Sequence, residues 1–446
     1  MQIAKRLELF KGYLGTEMNV RLTRMREEGR DVINLGLGDP DVTPPPHLLK
    51  ALQEAVGHPD HHHYPSFYSN RPLKEAIAGW YERRFGVDLD PTTEVIPLLG
   101  SSEGLFIIHL CLLDPGDTAL VPDPSYPSYV AGVKLAGGHV EPMPLLQKNG
   151  FLPDLEGIPS DVAKRARMMW VNYPNNPTAA VATPEFFTKL IAWAKAHDVV
   201  VVHDNPYSEV SFDGYLTPSF LQFPGAKEVG VEFHSLSKSY NCCGWRTGML
   251  VGNPDIIAGM AKIMSHSNRG MYYPLQVAST KALNGPVDFM GSRNQTFKER
   301  RDVVVKGLRE VGLKVEAPKA TFYVWSPVPE GFTSKDFCFK ILDAINVWMI
   351  PGSMYGAHGE GYFRIALTHP AKRLAEAMER LKDFMGYPSC VNAQPVAAVM
   401  VVEAGAIRRL RAAATLPPLP AAVAVKATVV AAVVAETTAA AAVVRT

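Results

Sequence analysis

The sequence predicts an α/β protein: a three-layer large domain built on a mainly parallel, seven-stranded sheet, followed by a smaller α+β domain. Short apolar, β-branched runs alternate with helix-like segments over the first 285 residues, which is typical of parallel sheets. Polar residues follow several of these runs directly, where open α/β sheets place ligand chemistry. From about residue 286 the pattern changes to a long charged helix followed by mixed strands and helices.

Length and composition narrow the classes of function. The chain has 446 residues, of which 47% are hydrophobic, enough to bury a large core and a smaller one. A formal net charge of +1 gives no basic surplus, so we expect no nucleic-acid partner. The N-terminus lacks a secretory h-region, and no stretch reaches the roughly 20 uninterrupted apolar residues of a membrane helix. We therefore expect small-molecule chemistry away from membranes.

Cysteines and histidines do not predict a metal site. The five cysteines are scattered and lack metal-ligand spacing, so we expect a reducing, cytoplasmic setting. His58 and the run 61–63 are predicted as a solvated loop, because metal ligation needs a convergent geometry that this short segment does not supply.

We predict four parts in chain order. Residues 1–50 form an N-terminal arm and part of the small domain, and 51–285 form the large domain. Residues 286–387 form the small C-terminal domain. Residues 388–446 are rich in alanine and valine, and we expect this tail to be poorly ordered.

Hydrophobic patterning places the elements. The seven strands of the large domain are predicted at 94–99, 117–121, 138–145, 167–172, 199–203, 229–234 and 247–251. Its clearest helices are predicted at 47–56, 72–83, 101–113 and 184–196. The small domain is predicted to contain a strand at 32–35, helices at 286–311, 334–345 and 371–385, and strands at 322–326, 348–350 and 362–367.

Lys238 is the first candidate reactive residue. It lies in Ser235-Leu-Ser-Lys-Ser239, predicted as a loop between two strands, and Arg246 follows eight residues later. Hydroxyls, a guanidinium and a desolvated amine could converge there on a phosphate group. A solvated loop lysine is the alternative, because so short a motif occurs often by chance.

Ser101 and Ser102 are the first candidate anion ligands. They open the helix that follows Gly100, and the free amides and dipole of a helix N-terminus attract anions. The same pattern also fits an ordinary serine cap.

Together, these motifs resemble those of a known family. Asn172-Tyr-Pro-Asn-Asn-Pro-Thr178, Asp204-Asn-Pro-Tyr207 and the lysine segment occur in the order found in class I/II pyridoxal-phosphate aminotransferases of fold type I. The resemblance runs from about residue 34 to 364 and implies an aspartate aminotransferase-like fold. The segments 35–41 and 351–356 look most like the branch of LL-diaminopimelate and alanine aminotransferases.

The resemblance implies roles for individual residues. Lys238 would form the internal aldimine with pyridoxal 5'-phosphate and move the proton during transfer, and Asp204 would keep the ring nitrogen protonated. Asn176 and Tyr207 would bond the phenolic oxygen, and Tyr126 would stack on the ring. The phosphate ligands would be Ser101, Ser102, Ser235, Ser237 and Arg246. Tyr64 would reach the cofactor of the other protomer, so a homodimer with shared active sites is expected.

Substrate contacts follow from the same resemblance. Arg364 lies in an apolar run, where an unpaired charge is costly, and would bind the substrate α-carboxylate; a structural pair with a protein acid is the alternative. Gly38 would contact substrate through its backbone. Arg269 would select an acidic side chain, with glutamate and 2-oxoglutarate as one pair, although a solvated loop or a phosphate-supporting role fits equally.

The expected function is therefore transfer of an amino group between an L-amino acid and a 2-oxo acid, through a pyridoxamine phosphate intermediate. A C–S β-lyase on the same fold is the first alternative, and the sequence separates the two poorly. A non-catalytic relative that binds the cofactor is the second. The joint presence of Lys238, Asp204 and Arg364 argues against it, because a protein without chemistry has little need of all three.

Overall fold

A computed structural model describes residues 3–9, 14–65, 71–268 and 270–386 of the chain. Arg269 and the tail at 388–446 lie outside the described residues. The described strands are β1 (Ile33–Asn34), β2 (Val95–Leu98), β3 (Thr118–Asp123), β4 (His139–Pro144), β5 (Ala166–Asn172), β6 (Val200–Asp204), β7 (Gly230–Ser235), β8 (Gly248–Gly252), β9 (Tyr323–Pro327), β10 (Val347–Trp348), β11 (Ile350–Pro351) and β12 (Tyr362–Ala366).

The described helices are distributed along the chain from residue 14 to residue 386. They are α1 (Leu14–Glu27), α2 (Pro46–Val56), α3 (Arg71–Phe85), α4 (Ser101–Leu112), α5 (Pro127–Leu135), α6 (Ser160–Arg165), α7 (Pro184–His197), α8 (Ala226–Val229), α9 (Leu236–Ser239), α10 (Pro254–Ser267), α11 (Tyr273–Asn284), α12 (Asp288–Glu310), α13 (Ser334–Ile345) and α14 (Ala371–Gly386).

A seven-stranded sheet forms the centre of the larger half, with strand order β2-β8-β7-β6-β5-β3-β4. Strand β8 is antiparallel to both of its neighbours. The remaining pairings, from β7 to β4, are parallel. The predicted fold class, a mainly parallel seven-stranded α/β sheet, is confirmed.

Helices cover both faces of this sheet. Alternate residues of a strand point to opposite faces, so Val171 packs with Trp80 and Phe187 of α3 and α7, whereas Trp170 packs with Ile108 and Met260 of α4 and α10. Because both faces are buried, the central strands are continuous apolar runs rather than alternating ones.

A third core belongs to the smaller half of the fold. It joins Leu22 of α1 and Ile33 of β1 to Phe297 of α12, Ile365 of β12 and Leu374 of α14. Helix α1 and strand β1 therefore pack on the C-terminal elements.

The strand predicted at 348–350 differs from the observed structure. Val347–Trp348 pairs with β1, whereas Ile350–Pro351 pairs with β12 in a separate antiparallel sheet with β9. The chain changes partner at Met349. Local patterning cannot reveal this change, because β1, the partner of the first short strand, is distant in sequence.

No described helix combines the length and the apolar character needed to cross a membrane.

Candidate active site

The register of the central sheet brings polar strand ends together. Asn172 at the end of β5 is opposite Asp204 at the end of β6. Ser235 at the end of β7 is opposite Gly248, the first residue of β8. Because β8 runs in the other direction, its start lies at the same edge as the carboxyl ends of its parallel neighbours.

A cleft of about 240 Å³ opens at this edge. It is lined by most of the residues that the sequence nominates, namely Gly38, Ser101, Ser102, Tyr126, Asn176, Asp204, Tyr207, Ser235, Ser237, Lys238, Arg246 and Arg364. Segments that are far apart in sequence, including the loop that contains Gly38, thus form one site.

Lys238 lies on the single helical turn α9, not in the irregular loop that the sequence predicts. The Ser235 hydroxyl caps this turn by accepting a hydrogen bond from the amide of Ser237, which stabilises helical geometry directly after a strand. The Lys238 Nζ donates to the carbonyl oxygen of Gly38 at 2.8 Å and to Cys243 Sγ at 3.2 Å. Both acceptors are uncharged in their ordinary states.

Gly38 approaches the cleft so closely that only glycine fits. A Cβ added there would overlap the hydroxyl of Tyr323. That hydroxyl lies 3.3 Å from the Tyr207 hydroxyl, which donates to it. The glycine therefore lets the Gly38 carbonyl reach Lys238 without displacing the two tyrosines.

Asp204 is a buried carboxylate with one oxygen available. Its Oδ2 accepts a hydrogen bond from the Tyr129 hydroxyl at 2.6 Å. Its Oδ1 is buried and has no hydrogen-bond partner among the described residues. Burial raises the pKa of Asp204 to about 6, although the Tyr129 hydrogen bond and the charge of His203 act to lower it. An acceptor of this kind fits the protonated ring nitrogen of a pyridine.

An anion-binding cradle lies at the N-terminus of α4. Ser101 begins the helix, and Gly100 before it has a φ of 75°. A Cβ on Gly100 would come within 2.6 Å of Arg246 Nη2, so the glycine makes room for the guanidinium. The Ser237 hydroxyl is buried and has no hydrogen-bond partner among the described residues. A helix N-terminus, a free hydroxyl and an arginine together suit a phosphate group.

Aromatic rings form one wall of the cleft. Tyr126 is half-buried and packs edge-on against Tyr129, with ring centroids 5.8 Å apart. Tyr129 in turn stacks on Trp170 at 4.3 Å. A planar ligand ring can therefore lie against Tyr126, which is itself fixed from behind.

Arg364 of β12 enters the cleft from the smaller half of the fold. Its Nη1 donates to Asn176 Oδ1 at 2.7 Å and its Nη2 to the carbonyl oxygen of Gly36 at 2.6 Å. The guanidinium carbon lies 4.0 Å from the ring centroid of Tyr323. The side chain is 5% exposed, so the two neutral oxygens and the ring hold a guanidinium that has lost most of its water.

The sequence did not identify several residues of the site. Tyr129 holds Asp204, Tyr323 and Tyr355 line the cleft, and the Asn172 side-chain amide donates to the main-chain carbonyl of Asp204 at 2.7 Å. The segment 122–129 contains two tyrosines, and local pattern cannot tell which one faces the ligand. The position of Asn172 as the last residue of a buried strand was a usable signal.

One nominated residue that the structure describes does not line the cleft. Tyr64 is 83% exposed and lies away from it. Arg269 lies outside the described residues. No group of three histidine, cysteine or acidic residues in the described ranges could hold a metal ion.

Comparison with known proteins identifies relatives along almost the whole described region. The family described as aminotransferase class I and II matches residues 30–381. The LL-diaminopimelate aminotransferase of Moorella thermoacetica is 48% identical over 386 residues, covering 86% of this chain and 99% of the relative. The enzyme of the same name from Syntrophobacter fumaroxidans is 49% identical over 379 residues, covering 85% and 98%.

Solved structures with the same fold include further relatives. Substrate-bound BacF from Bacillus subtilis is similar with a TM-score of 0.83 and 39% identity, covering 86% of this chain and 98% of that one. Aspartate aminotransferase from Thermus thermophilus with maleate has a TM-score of 0.80 and 28% identity, covering 86% and 99%.

Replacing Tyr129 by phenylalanine (Tyr129→Phe) should raise the pKa of Asp204 above about 6, because the carboxylate loses a hydrogen bond that favours its charged form. A folded-state pKa above the unfolded value stabilises the fold at low pH, and this contribution is lost as the pH rises through the folded pKa. Tyr129→Phe should therefore be more destabilising at pH 8 than at pH 5, by up to about 1.4 kcal/mol per unit of added shift. Urea unfolding of the cofactor-free protein at both pH values measures the difference.

Tyr173→Phe is the matched control. Tyr173 is also buried, but its hydroxyl donates to the carbonyl oxygen of Phe151 at 2.8 Å, an acceptor that does not titrate. Its destabilisation should be the same at pH 5 and pH 8. If Tyr129→Phe also showed no pH dependence, the Tyr129 hydroxyl would not be supporting a charged Asp204.

Proposed function

The chain belongs to the class I and class II aminotransferases, which depend on pyridoxal phosphate, and from this premise we propose which residues act and on what substrate. The chain's own amino donor is proposed to be an acid of the LL-diaminopimelate type, with glutamate and 2-oxoglutarate as the second pair. The observation that carries the proposal is the convergence of Lys238, Asp204 and Arg364 in one cleft.

The cofactor supplies an aldehyde that captures amines and a ring that withdraws electrons from the substrate Cα. The described residues fit it, because the unpartnered Asp204 Oδ1 suits its ring nitrogen and the unpartnered Ser237 hydroxyl suits its phosphate. Ser101, Ser102, Ser235 and Arg246 would complete the phosphate site. Tyr126 would support the ring, and Asn176 and Tyr207 would bond its phenolic oxygen.

Lys238 is proposed as the residue that moves the proton. An amine at this place would take a proton from the substrate Cα and deliver it to C4′ of the cofactor. The Gly38 carbonyl, 2.8 Å from Nζ, orients the amine between these positions.

Arg364 is proposed to bind the substrate α-carboxylate. A guanidinium donates two parallel hydrogen bonds to a carboxylate, so it fixes orientation as well as affinity. Its position between Asn176 and the Gly36 carbonyl directs this fork into the cleft.

The proposed substrate class rests on relatives named LL-diaminopimelate aminotransferase, several of which are 46–49% identical to this chain. Such a diacid carries an ammonium and a carboxylate at each end, so one end would bind Arg364 while the other extends towards the mouth of the cleft. Exposed Leu37 lies at this mouth. Arg269 is proposed to select glutamate in the other half-reaction.

We also propose a homodimer in a reducing, cytoplasmic setting, with the domain boundaries predicted from the sequence. Tyr64 would contact the cofactor of the other protomer, which its high exposure in a single chain permits. The four described cysteines are free thiols, as expected in a reducing compartment.

Lys238→Ala should abolish turnover and leave a folded protein that still binds pyridoxal phosphate without a covalent bond, because other residues make the phosphate and ring contacts. Borohydride reduction followed by peptide mass spectrometry should label Lys238 in the unaltered protein and no lysine in the variant. Lys189→Ala, at an exposed lysine of α7, is the control, because Lys238 should still be labelled in this variant. Cofactor attached to another lysine would overturn the assignment.

Arg364→Lys should lower kcat/KM for every amino donor. The loss should correspond to about 1.5–3 kcal/mol of activation free energy, the range for a hydrogen bond to a charged group. Arg269→Ala should cost a similar amount, about 1.5–3 kcal/mol, with glutamate alone. Stopped-flow half-reactions with LL-diaminopimelate, glutamate and alanine separate the two effects. If Arg269→Ala slowed the half-reactions of glutamate and alanine equally, Arg269 would not recognise the side chain.

Steady pyruvate release without an acceptor would favour a β-lyase over an aminotransferase.

The active unit should be a dimer, since isologous pairs are the commonest closed assembly. Sedimentation at the assay concentration tests this, and Tyr64→Phe should weaken cofactor retention without dissociating the dimer. An active monomer would remove both the dimer and the role of Tyr64.

A further inference from the structure

Arg293 is a buried cation that the proposed chemistry does not use. It lies near the start of α12 and is 1% exposed. Its Nη1 donates to the carbonyl oxygen of Lys238 at 2.8 Å and also to that of Ser239, while its Nη2 donates to that of Glu209. No described residue forms a salt bridge with it. Burial lowers its pKa to about 10, which still leaves it charged at neutral pH.

Burying this charge is expensive. An ion removed from water costs several kcal/mol, and proteins usually offset that with a carboxylate. Arg293 instead binds main-chain carbonyls at the C-terminal end of α9, where helix carbonyls have no partner within the helix. The turn α9 has four residues, too few to be stable alone. Arg293 therefore supports the turn that carries Lys238.

Arg300 lies seven residues further along the same face of α12. It binds Asp41 through two hydrogen bonds, at 2.5 and 2.9 Å, and donates to the carbonyl oxygen of Leu367 at 3.1 Å. Asp41 belongs to the loop that contains Gly38, whose carbonyl accepts the hydrogen bond from Lys238 Nζ. Arg300 thus fixes the acceptor of the Lys238 amine, while Arg293 fixes its main chain.

We propose that Arg293 and Arg300 of α12 are positioning residues for the Lys238 amine. Arg293 fixes the main chain of Lys238, and Arg300 fixes the loop whose Gly38 carbonyl accepts the hydrogen bond from Nζ. The inference rests on the proposed role of Lys238. The proposed role differs from a purely structural one because both arginines determine the position of the same amine.

Arg293→Lys and Arg300→Lys test this proposal, since lysine keeps the charge but cannot make the forked contacts. Arg301→Lys is the matched control. Arg301 is equally buried on α12, but it binds Asp213 and the carbonyl oxygen of Pro318, away from Lys238. Arg293→Gln, which keeps two N–H donors without a buried charge, serves if Arg293→Lys does not fold.

Two measurements on the full-length, cofactor-free protein separate positioning from binding. Borohydride trapping with peptide mass spectrometry gives the rate at which Lys238 captures pyridoxal phosphate. Equilibrium dialysis of Lys238→Ala, alone and combined with each arginine substitution, gives non-covalent retention. Arg293→Lys and Arg300→Lys should slow capture at least tenfold and change retention less than twofold. Arg301→Lys should change neither, even where it lowers Tm.

The double variant Arg293→Lys/Arg300→Lys tests whether the two arginines act on the same amine. Their effects on capture should then be less than multiplicative. Unchanged capture in the single variants, equal slowing by Arg301→Lys, or fully multiplicative effects would each overturn the proposal. Labelling of a different lysine would instead overturn the role of Lys238 itself, so the two failures are distinguishable.

Discussion

The buried carboxylate of Asp204 is the constraint on which the cleft depends. A charge at the end of a central strand, away from water, is costly unless hydrogen bonds offset it. The Tyr129 hydroxyl supplies one such bond to the carboxylate, and the Asn172 amide holds the main chain of the same residue. Tyr129 can do so only because its ring is fixed by stacking on Trp170. One acid at the end of β6 therefore ties together the end of β5 and the segment that follows β3.

Strand β8, the one strand of the seven-stranded sheet that runs in the opposite direction, completes the edge at which the cleft opens. If β8 ran parallel to its neighbours, the residues that precede it, including Arg246, would lie at the far side of the sheet. Because it is reversed, the chain from Lys238 needs only a short return to bring Arg246 back to the same edge. That return is tight: Arg246 adopts a φ of 54°, and Gly100 leaves space for its guanidinium. The eight-residue spacing in the sequence reflects this topology.

Sequence analysis predicts the features that are local. The seven strands follow from apolar runs, and Lys238, Asp204 and Arg364 are recognisable from the residues beside them. Tyr129 is not, because the acid that gives it a role lies 75 residues away. Arg293 is hidden in a charged helix for the same reason: only the fold reveals that it faces the carbonyls of the lysine turn. The break of the predicted strand at Met349 likewise depends on partners distant in sequence.

One short loop accepts hydrogen bonds from both of the residues that are proposed to meet an amino-acid substrate. The Gly36 carbonyl accepts from Arg364 and the Gly38 carbonyl accepts from Lys238, so two residues of chain separate the acceptors. An α-amino acid carries its amine and carboxylate on the same carbon, so the two residues that are proposed to bind them must face one small region of the cleft. Both positions require glycine: a Cβ on Gly36 would press on Ile350, and one on Gly38 would overlap Tyr323. Because Tyr323 of β9 and Ile350 of β11 fill these spaces, packing against those two strands keeps both carbonyls in place.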